Sequence, residues 1–286
     1  MNPALRHDPH DGTPVHIVAS RQARPNLPDD GCPFCVGGRE APEPYDVRWF
    51  ANRWPALPDD RCEVVLYTPD HTASFATLGV DGITRVVDLW ADRTTALGSR
   101  ADVDYVLVFE NRGPEVGATI AHPHSQIYAY DHVPPRPARR LGVWAPDPNP
   151  GDRLVADANG WTAVVPVAPV YPVAIDIAPT EHIGDLAACD PTQRRGLAGM
   201  LADLMGRLDR LYDSPLPYML WVNQRPATPD GWDDAWLSIE IVSPWRSAGV
   251  ARYIAAAEVA AGEYFNPVDP AELAERLRAL DPEHHR

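Results

Sequence analysis

The pattern of apolar positions along Glu63–His71, EVVLYTPDH, reads as a strand, and the run closes on a proline, an acid and a histidine. Val173–His182, VAIDIAPTEH, repeats the pattern, with His182 lying 111 positions after His71. An echo at a fixed offset is the mark of an internal repeat. The segments downstream of the two histidines match as well. Val86, Val87, Leu89, Trp90 and Leu97 recur at helical spacing after His71; Leu197, Leu201, Leu204, Leu208 and Leu211 do so after His182, where Asp190–Pro191 reads as a helix start. Each helix leads to a further strand, DYVLVFENR at Asp104–Arg112 and PYMLWVNQR at Pro217–Arg225. Each of these is succeeded by another, SQIYAY at Ser125–Tyr130 and WLSIEIV at Trp236–Val242.

Each half therefore reads strand, strand, helix, strand, strand, which predicts an antiparallel sheet backed by a helix in an α+β arrangement. The Pro-rich stretch Pro134–Pro150 lacks apolar periodicity and is expected to connect the halves without joining the core. This divides the chain into units at residues 1–140 and 151–286. At an offset of 114, His124 and Gln126 fall opposite Ser238 and Glu240, and His122 falls opposite Trp236. Only the first half keeps histidine chemistry, and the second is a degenerate copy.

Composition narrows the setting. With 286 residues, 45% hydrophobic and 23% charged, the chain has the makings of a soluble globular protein with a sizeable core. No apolar run reaches the ~18 residues of a membrane span and the N-terminus carries no apolar signal segment, so a cytoplasmic protein that does not engage membranes is expected. A net charge of −15 opposes non-specific binding to nucleic acid. Any bound phosphate must meet a local basic cluster. Arg21 and Arg24, in SRQARP, form such a pair and are candidates for clamping phosphates, although solvated surface charge explains them equally well.

Two of the four cysteines, Cys32 and Cys35, form C-P-F-C, a spacing that points to metal or redox chemistry in a chain without an export signal. Cys62 and Cys189 are expected to pack as small hydrophobes. Downstream, AHPHSQIYAY places His122 and His124 either side of Pro123 at the head of a strand. Proline restricts its own φ and disfavours helix before it, so the run is extended and both imidazoles point to one side. Cys32, Cys35, His71 and one histidine of this pair supply the four ligands of a tetrahedral structural zinc; a reduced C-x-x-C without metal is the alternative. Zinc on His122 would fix its neighbour and leave His124 as a nucleophile toward phosphorus, a role that suits an imidazole largely neutral at pH 7. Gln126, two residues on and on the same face, can donate its amide to a phosphoryl oxygen.

With these residues in view, the sequence resembles the galactose-1-phosphate uridylyltransferases, a nucleotidyl-transferring branch of the histidine-triad superfamily. The likeness runs from about Val15 to Leu280 through HIVASRQARP, CPFC, WFANRWPAL, YTPDH, FENRGPEVGATIAHPHSQIYA, PYMLWVNQRP and SPWRSAGVARYIAAAE. HPHSQ is similar to the family's His-Pro-His-Gly-Gln motif. The resemblance implies tandem histidine-triad-like half-barrel domains, a homodimer with shared active sites, and ping-pong transfer of UMP between UDP-glucose and a hexose 1-phosphate such as galactose 1-phosphate. It implies His124 as nucleophile, Gln126 as its phosphate-binding partner, and Cys32, Cys35, His71 and His122 as zinc ligands. Arg21 and Arg24 would approach the phosphates from the other subunit, Asn52, Asn111, Gly117 and Thr119 would contact nucleotide and phosphate, and Arg252 and Glu258 the hexose.

The chain also departs from the family. Where some members build a second metal site from a glutamate and three histidines, the matching positions are Arg140, Asn223, Ser238 and Glu240, so that metal is expected to be absent. Ala257 replaces a hexose-site tyrosine, and Arg53 replaces an aspartate near the ribose. A phosphorylase or secondary-metabolism transferase using another nucleotide or acceptor, a nucleotidyl hydrolase, and a non-enzymatic zinc scaffold are the competing readings.

Overall fold

The structure, a computed structural model, describes residues 4–23, 31–228 and 231–280. Its elements in chain order are β1 (Ala4–His7), β2 (Pro14–Ile17), β3 (Arg48–Ala51), β4 (Cys62–Leu66), α1 (Phe75–Gly98), β5 (Tyr105–Arg112), β6 (His124–Tyr130), α2 (Pro135–Leu141), β7 (Leu154–Ala158), β8 (Trp161–Val164) and β9 (Val173–Pro179). Then come α3 (Pro191–Arg210), β10 (Tyr218–Asn223), β11 (Ser238–Ser243), β12 (Trp245–Ser247), β13 (Val250–Ala251), α4 (Ala256–Ala261) and α5 (Pro270–Ala279).

Nine strands form one antiparallel sheet in the order β3-β4-β6-β5-β10-β11-β9-β8-β7. Around the central β5–β10 pair the order is symmetric. β4, β6 and β5 on one side answer to β9, β11 and β10 on the other, with α1 and α3 as the intervening helices. The repeat read from the sequence is thus a pseudo-twofold in the sheet, and the halves are stitched by main-chain pairing of Phe109 with Trp221 and of Asn111 with Met219.

Helical spacing put the leucines of α3 and the apolar residues of α1 on one face each, and that face is what the sheet covers. Val86, Val87, Trp90, Leu197, Leu201, Leu204 and Leu208 are buried in one apolar cluster that spans both halves. The start of α3 follows from its sequence: the Asp190 carboxylate accepts from the Gln193 amide, and the Gln193 side chain accepts from the Asp190 amide, 2.8 Å each, so two orphan donors are satisfied reciprocally. Of the Pro-rich connector, Pro135–Leu141 folds as α2, with Pro137 and Leu141 buried. Prolines in a first helical turn lack only an N–H that has no intrahelical partner, so proline density at Pro135 and Pro137 does not forbid a helix there. With α1 and α3 covering one face, the other face of the sheet carries the polar residues of β6, β10 and β11.

Candidate active site

The C-P-F-C loop closes on itself: the Gly38 amide donates to the Cys35 carbonyl at 2.8 Å and the Glu40 amide to the Pro33 carbonyl at 3.0 Å. A Cβ at Gly38 would lie 2.6–2.8 Å from the carbonyl oxygens of Pro33, Cys32 and Cys35, so this turn requires glycine. It turns both thiols toward His71, just beyond β4, and His122, just before β6. The ligand atoms of Cys32, Cys35, His71 and His122 all lie within 4.8 Å of one another, a group able to hold a metal ion. Cys35 Sγ is 3.5 Å from His71 Nδ1 and 3.7 Å from His122 Nδ1.

His122 is fully buried, and its Nε2 donates to the Thr68 carbonyl at 2.8 Å, which puts the lone pair on Nδ1, facing the thiols. Burial lowers its pKa, favouring the neutral imidazole that a metal needs. The Tyr45 hydroxyl lies 2.7 Å from the Phe34 carbonyl, 3.0 Å from that of Thr68 and 3.0 Å from His122 Nε2, tying the cysteine loop to the strand end. Its own pKa is pushed up to about 12 by burial.

Two residues on, His124 opens β6 as the extended geometry around Pro123 predicts. Its Nδ1 donates to the His122 carbonyl at 2.7 Å, which puts the ring's lone pair on Nε2. The Phe34 ring, inside C-P-F-C, meets the His124 ring edge-on at 5.1 Å. Along β6, His124, Gln126 and Tyr128 occupy one face while Ser125 and Ile127 are buried on the other. Ser125 Oγ accepts from Trp90 Nε1 of α1 at 2.8 Å, pinning the strand from beneath. A cleft lined by Ser74, Asn111, Gly113, Ile120 and Ala121 opens at His124. Gly113 has φ +95, and a Cβ there would come within 2.8 Å of Pro217, so β5 and the segment before β10 close only around a glycine.

The other residues singled out by sequence sort into two groups. Asn52 Nδ2 donates to Gln126 Oε1 at 3.2 Å, which fixes the amide and leaves its NH₂ as the donor for a ligand. Asn111 lines the cleft; Gly117, left-handed at φ +87, ends the 3₁₀ turn Pro114–Val116 in the loop that leads through Thr119 to the cleft wall at Ile120. Arg21 donates to Tyr128, at 3.2 Å, which is four residues and roughly 13 Å along β6 from His124. Arg24 lies outside the described residues. Arg252 and Glu258 are buried against each other, Glu258 also accepting from the Ala255 and Phe265 amides at 2.9 Å, and neither lines the His124 cleft.

Sequence reasoning passed over Glu110. This carboxyl is wholly buried at the base of the cleft, accepts from the Tyr67 and Tyr218 hydroxyls at 2.8 and 2.9 Å, and has its pKa raised by burial from 4.5 to about 7. An acid at the polar end of β5, between two tyrosines distant in sequence, gives no local signal. Phe34 and Ser125, by contrast, stood inside motifs already in view.

Among known proteins, residues 51–134 match the family described as galactose-1-phosphate uridyl transferase, N-terminal domain. The galactose-1-phosphate uridylyltransferase of Streptomyces lividans is 33% identical over 99% of this chain and 88% of its own length. That of Thermotoga maritima is 31% identical over 98% of this chain and 99% of its own length. The chain belongs to the galactose-1-phosphate uridylyltransferase family. A solved uridylyltransferase structure superposes with a TM-score of 0.84 at 26% identity, covering 96% of this chain and 97% of the other. An ADP-glucose phosphorylase from Arabidopsis thaliana with bound ADP-glucose shares the fold, with a TM-score of 0.77 at 22% identity over 98% and 99% of the two chains. The family is one of nucleotidyl-transferring enzymes, and a mixed α+β fold with a large antiparallel sheet is what these relatives share with this chain.

Proposed function

We propose that this member of the uridylyltransferase family moves UMP between UDP-glucose and a hexose 1-phosphate such as galactose 1-phosphate through a covalent uridylyl-histidine at His124. One observation carries the reading: the hydrogen bond from His124 Nδ1 to the His122 carbonyl, which orients the ring and puts the lone pair on Nε2 beside a cleft. Nε2 attacks the α-phosphorus of UDP-glucose, the bond to the β-phosphate oxygen breaks, and glucose 1-phosphate leaves. A phosphate oxygen of the incoming hexose 1-phosphate then attacks the same phosphorus, the N–P bond breaks, and the imidazole is restored. Gln126, held by Asn52, donates its amide to a non-bridging oxygen in both steps. Asn111, Gly117 and Thr119 contact nucleotide and phosphate from the cleft and its loop.

The two thiols, His71 and Nδ1 of His122 suit zinc in number and chemistry. Bound there, zinc serves as a structural ion. The chain's part is to carry His122 in the tautomer that faces the thiols, so that the carbonyl of the same residue orients His124. The division into histidine-triad-like units at residues 1–140 and 151–286 leaves the nucleophile in the first.

We also assign the active form to a homodimer. Arg252 and Glu258 stand away from their own cleft, on a segment whose Tyr253 and Phe265 are largely exposed, and Arg21 meets β6 at Tyr128, well short of His124. The second copy would supply Arg21 and Arg24 to the phosphates and the Arg252–Glu258 segment to the hexose. No helix among the described residues is long and apolar enough to cross a membrane, and the assigned compartment is the cytoplasm.

The test is incubation with UDP-glucose or ADP-glucose labelled in the nucleotide phosphate, followed by counting of acid-labile label on the protein. Label from UDP-glucose that is discharged by galactose 1-phosphate and absent in His124→Ala is expected. Label from ADP-glucose alone would overturn the uridylyl assignment, and discharge by water without acceptor would make the enzyme a hydrolase.

A further inference from the structure

The row of the sheet that carries Gln126 has a counterpart in the second half. Val64, Gln126 and Phe109 are cross-strand partners on β4, β6 and β5; Asp176, Glu240 and Trp221 are the equivalent partners on β9, β11 and β10. Where the first half pairs a valine with a glutamine, the second sets two carboxylates side by side, their side chains only 14% and 10% exposed. Adjacent acids so poorly hydrated need a cation close by.

That cation comes from α2. Arg140 reaches down with Nη2 3.2 Å from Asp176 Oδ2 and Nε 3.3 Å from Glu240 Oε1, its side chain 17% exposed. Around it, Glu240 Oε1 also accepts from Asn223 Nδ2 at 2.9 Å and Trp221 Nε1 at 3.0 Å, and Ser238 Oγ accepts from Asn223 at 3.4 Å. Arg136 caps the rim, donating to Glu240 Oε2 at 2.7 Å while stacked 4.8 Å over Trp221. Arg140, Asn223, Ser238 and Glu240 are the four positions expected to match the second metal site of some relatives. They do come together here, but without a histidine or thiolate, and with a guanidinium already between the two acids. With the guanidinium in that place they do not fit a divalent ion.

We propose that Arg140 is a built-in counter-cation, its guanidinium standing between Asp176 and Glu240 where a divalent ion would otherwise be needed. The ion pairs clip α2 to the second half without a metal. Because only four residues separate the end of β6 from the start of α2, the clip also anchors the far end of the strand that carries His124. Arg136 cannot replace it, since it contacts only the outer oxygen of Glu240 and its side chain is 53% exposed.

The experiment compares thermal unfolding of the zinc-loaded wild type, Arg140→Ala and Arg140→Ala/Asp176→Asn, each with and without millimolar Mn²⁺, so that the Cys32, Cys35, His71 and His122 group is already filled. The wild-type midpoint is expected to be indifferent to Mn²⁺, since the guanidinium already fills the place between the acids. Arg140→Ala, left with two buried acids and no cation between them, should melt roughly 5–10 °C lower and recover part of that loss in Mn²⁺. The double variant, with one acid removed, should regain stability without Mn²⁺. The proposal is overturned if Arg140→Ala melts like the wild type, if Mn²⁺ fails to raise its midpoint, or if Mn²⁺ stabilises the wild type equally. Should Arg140→Ala not fold, the double variant decides: a folded, Mn²⁺-indifferent protein supports the clip, and failure of both refutes it.

Discussion

His122 and Trp236 occupy equivalent places in the two halves, and they do the same structural job. The imidazole Nε2 donates to the Thr68 carbonyl at 2.8 Å, and the indole Nε1 donates to the Pro179 carbonyl at 3.3 Å, the two carbonyls themselves lying 111 positions apart. Each ring also meets a histidine edge-on just beyond its strand, His71 at 5.5 Å and His182 at 5.0 Å. What separates them is the second nitrogen. Imidazole has one, with a lone pair that can face a pair of thiols; indole has none. The fold asks only for a ring N–H at this position, and of the two rings only the imidazole has a nitrogen left over to face a ligand.

The comparison can be broken most severely at the proposed nucleophile, His124. His124→Gly is expected to lower exchange between UDP-glucose and galactose 1-phosphate by on the order of 10⁴-fold or more, while Ser238→Ala, at the equivalent place in the second half, should change kcat by less than about 3-fold. Comparable losses in both would mean that the halves share the chemistry. Next in size is Gln126→Glu, which gives the first half the residue found at Glu240. Without the arginines that neutralise Glu240, a carboxylate there repels the phosphate, and kcat should fall about 10²–10³-fold with the midpoint of unfolding little altered.

Glu110 sharpens the contrast through pH, since its second-half equivalent is the apolar Val222. Its folded-state pKa is raised from 4.5 to about 7, so the folded protein holds this proton more tightly than the unfolded chain does. The favourable contribution is intact below pH 4.5 and is lost as pH rises toward 7, as the unfolded chain gives up the proton first. Thermal melts of Glu110→Gln should therefore gain on the wild type progressively between pH 4.5 and 7. A difference that is flat with pH, or that shrinks, would contradict the burial of an acid with so raised a pKa. The smallest effect is expected at Tyr45→Phe, which removes the hydroxyl beside His122 Nε2 and should weaken metal binding about 10-fold in a chelator competition, with transfer by the fully loaded protein nearly unchanged.

Much of the architecture was legible in the chain because the signals were local or periodic. Short strand-like runs of apolar residues marked the six inner strands, helical spacing marked α1 and α3, and Asp190–Pro191 marked the start of α3. The symmetry of the sheet was announced by the offset between His71 and His182. At the site, C-P-F-C and H-P-H stood out because each packs its chemistry into a few residues whose backbone is constrained by proline. The helix within Pro135–Leu141 was hidden by its proline content, and Glu110 by partners drawn from Tyr67 and Tyr218, far away in sequence.

By itself the sequence determined which residues could ligate a metal, which two imidazoles stand two places apart on one strand, and that these residue types are paired in the first half and not at the matching positions of the second. Spacing and residue type are enough for that, since a proline between two histidines fixes their relation whatever surrounds them. Tertiary structure decided everything that depends on who meets whom across the sheet: the tautomers of His122 and His124, the grip of Asn52 on Gln126, and the guanidinium of Arg140 between two acids. Those contacts join strands and helices tens of residues or more apart, and long-range pairing in a packed sheet leaves no mark in the local order of amino acids.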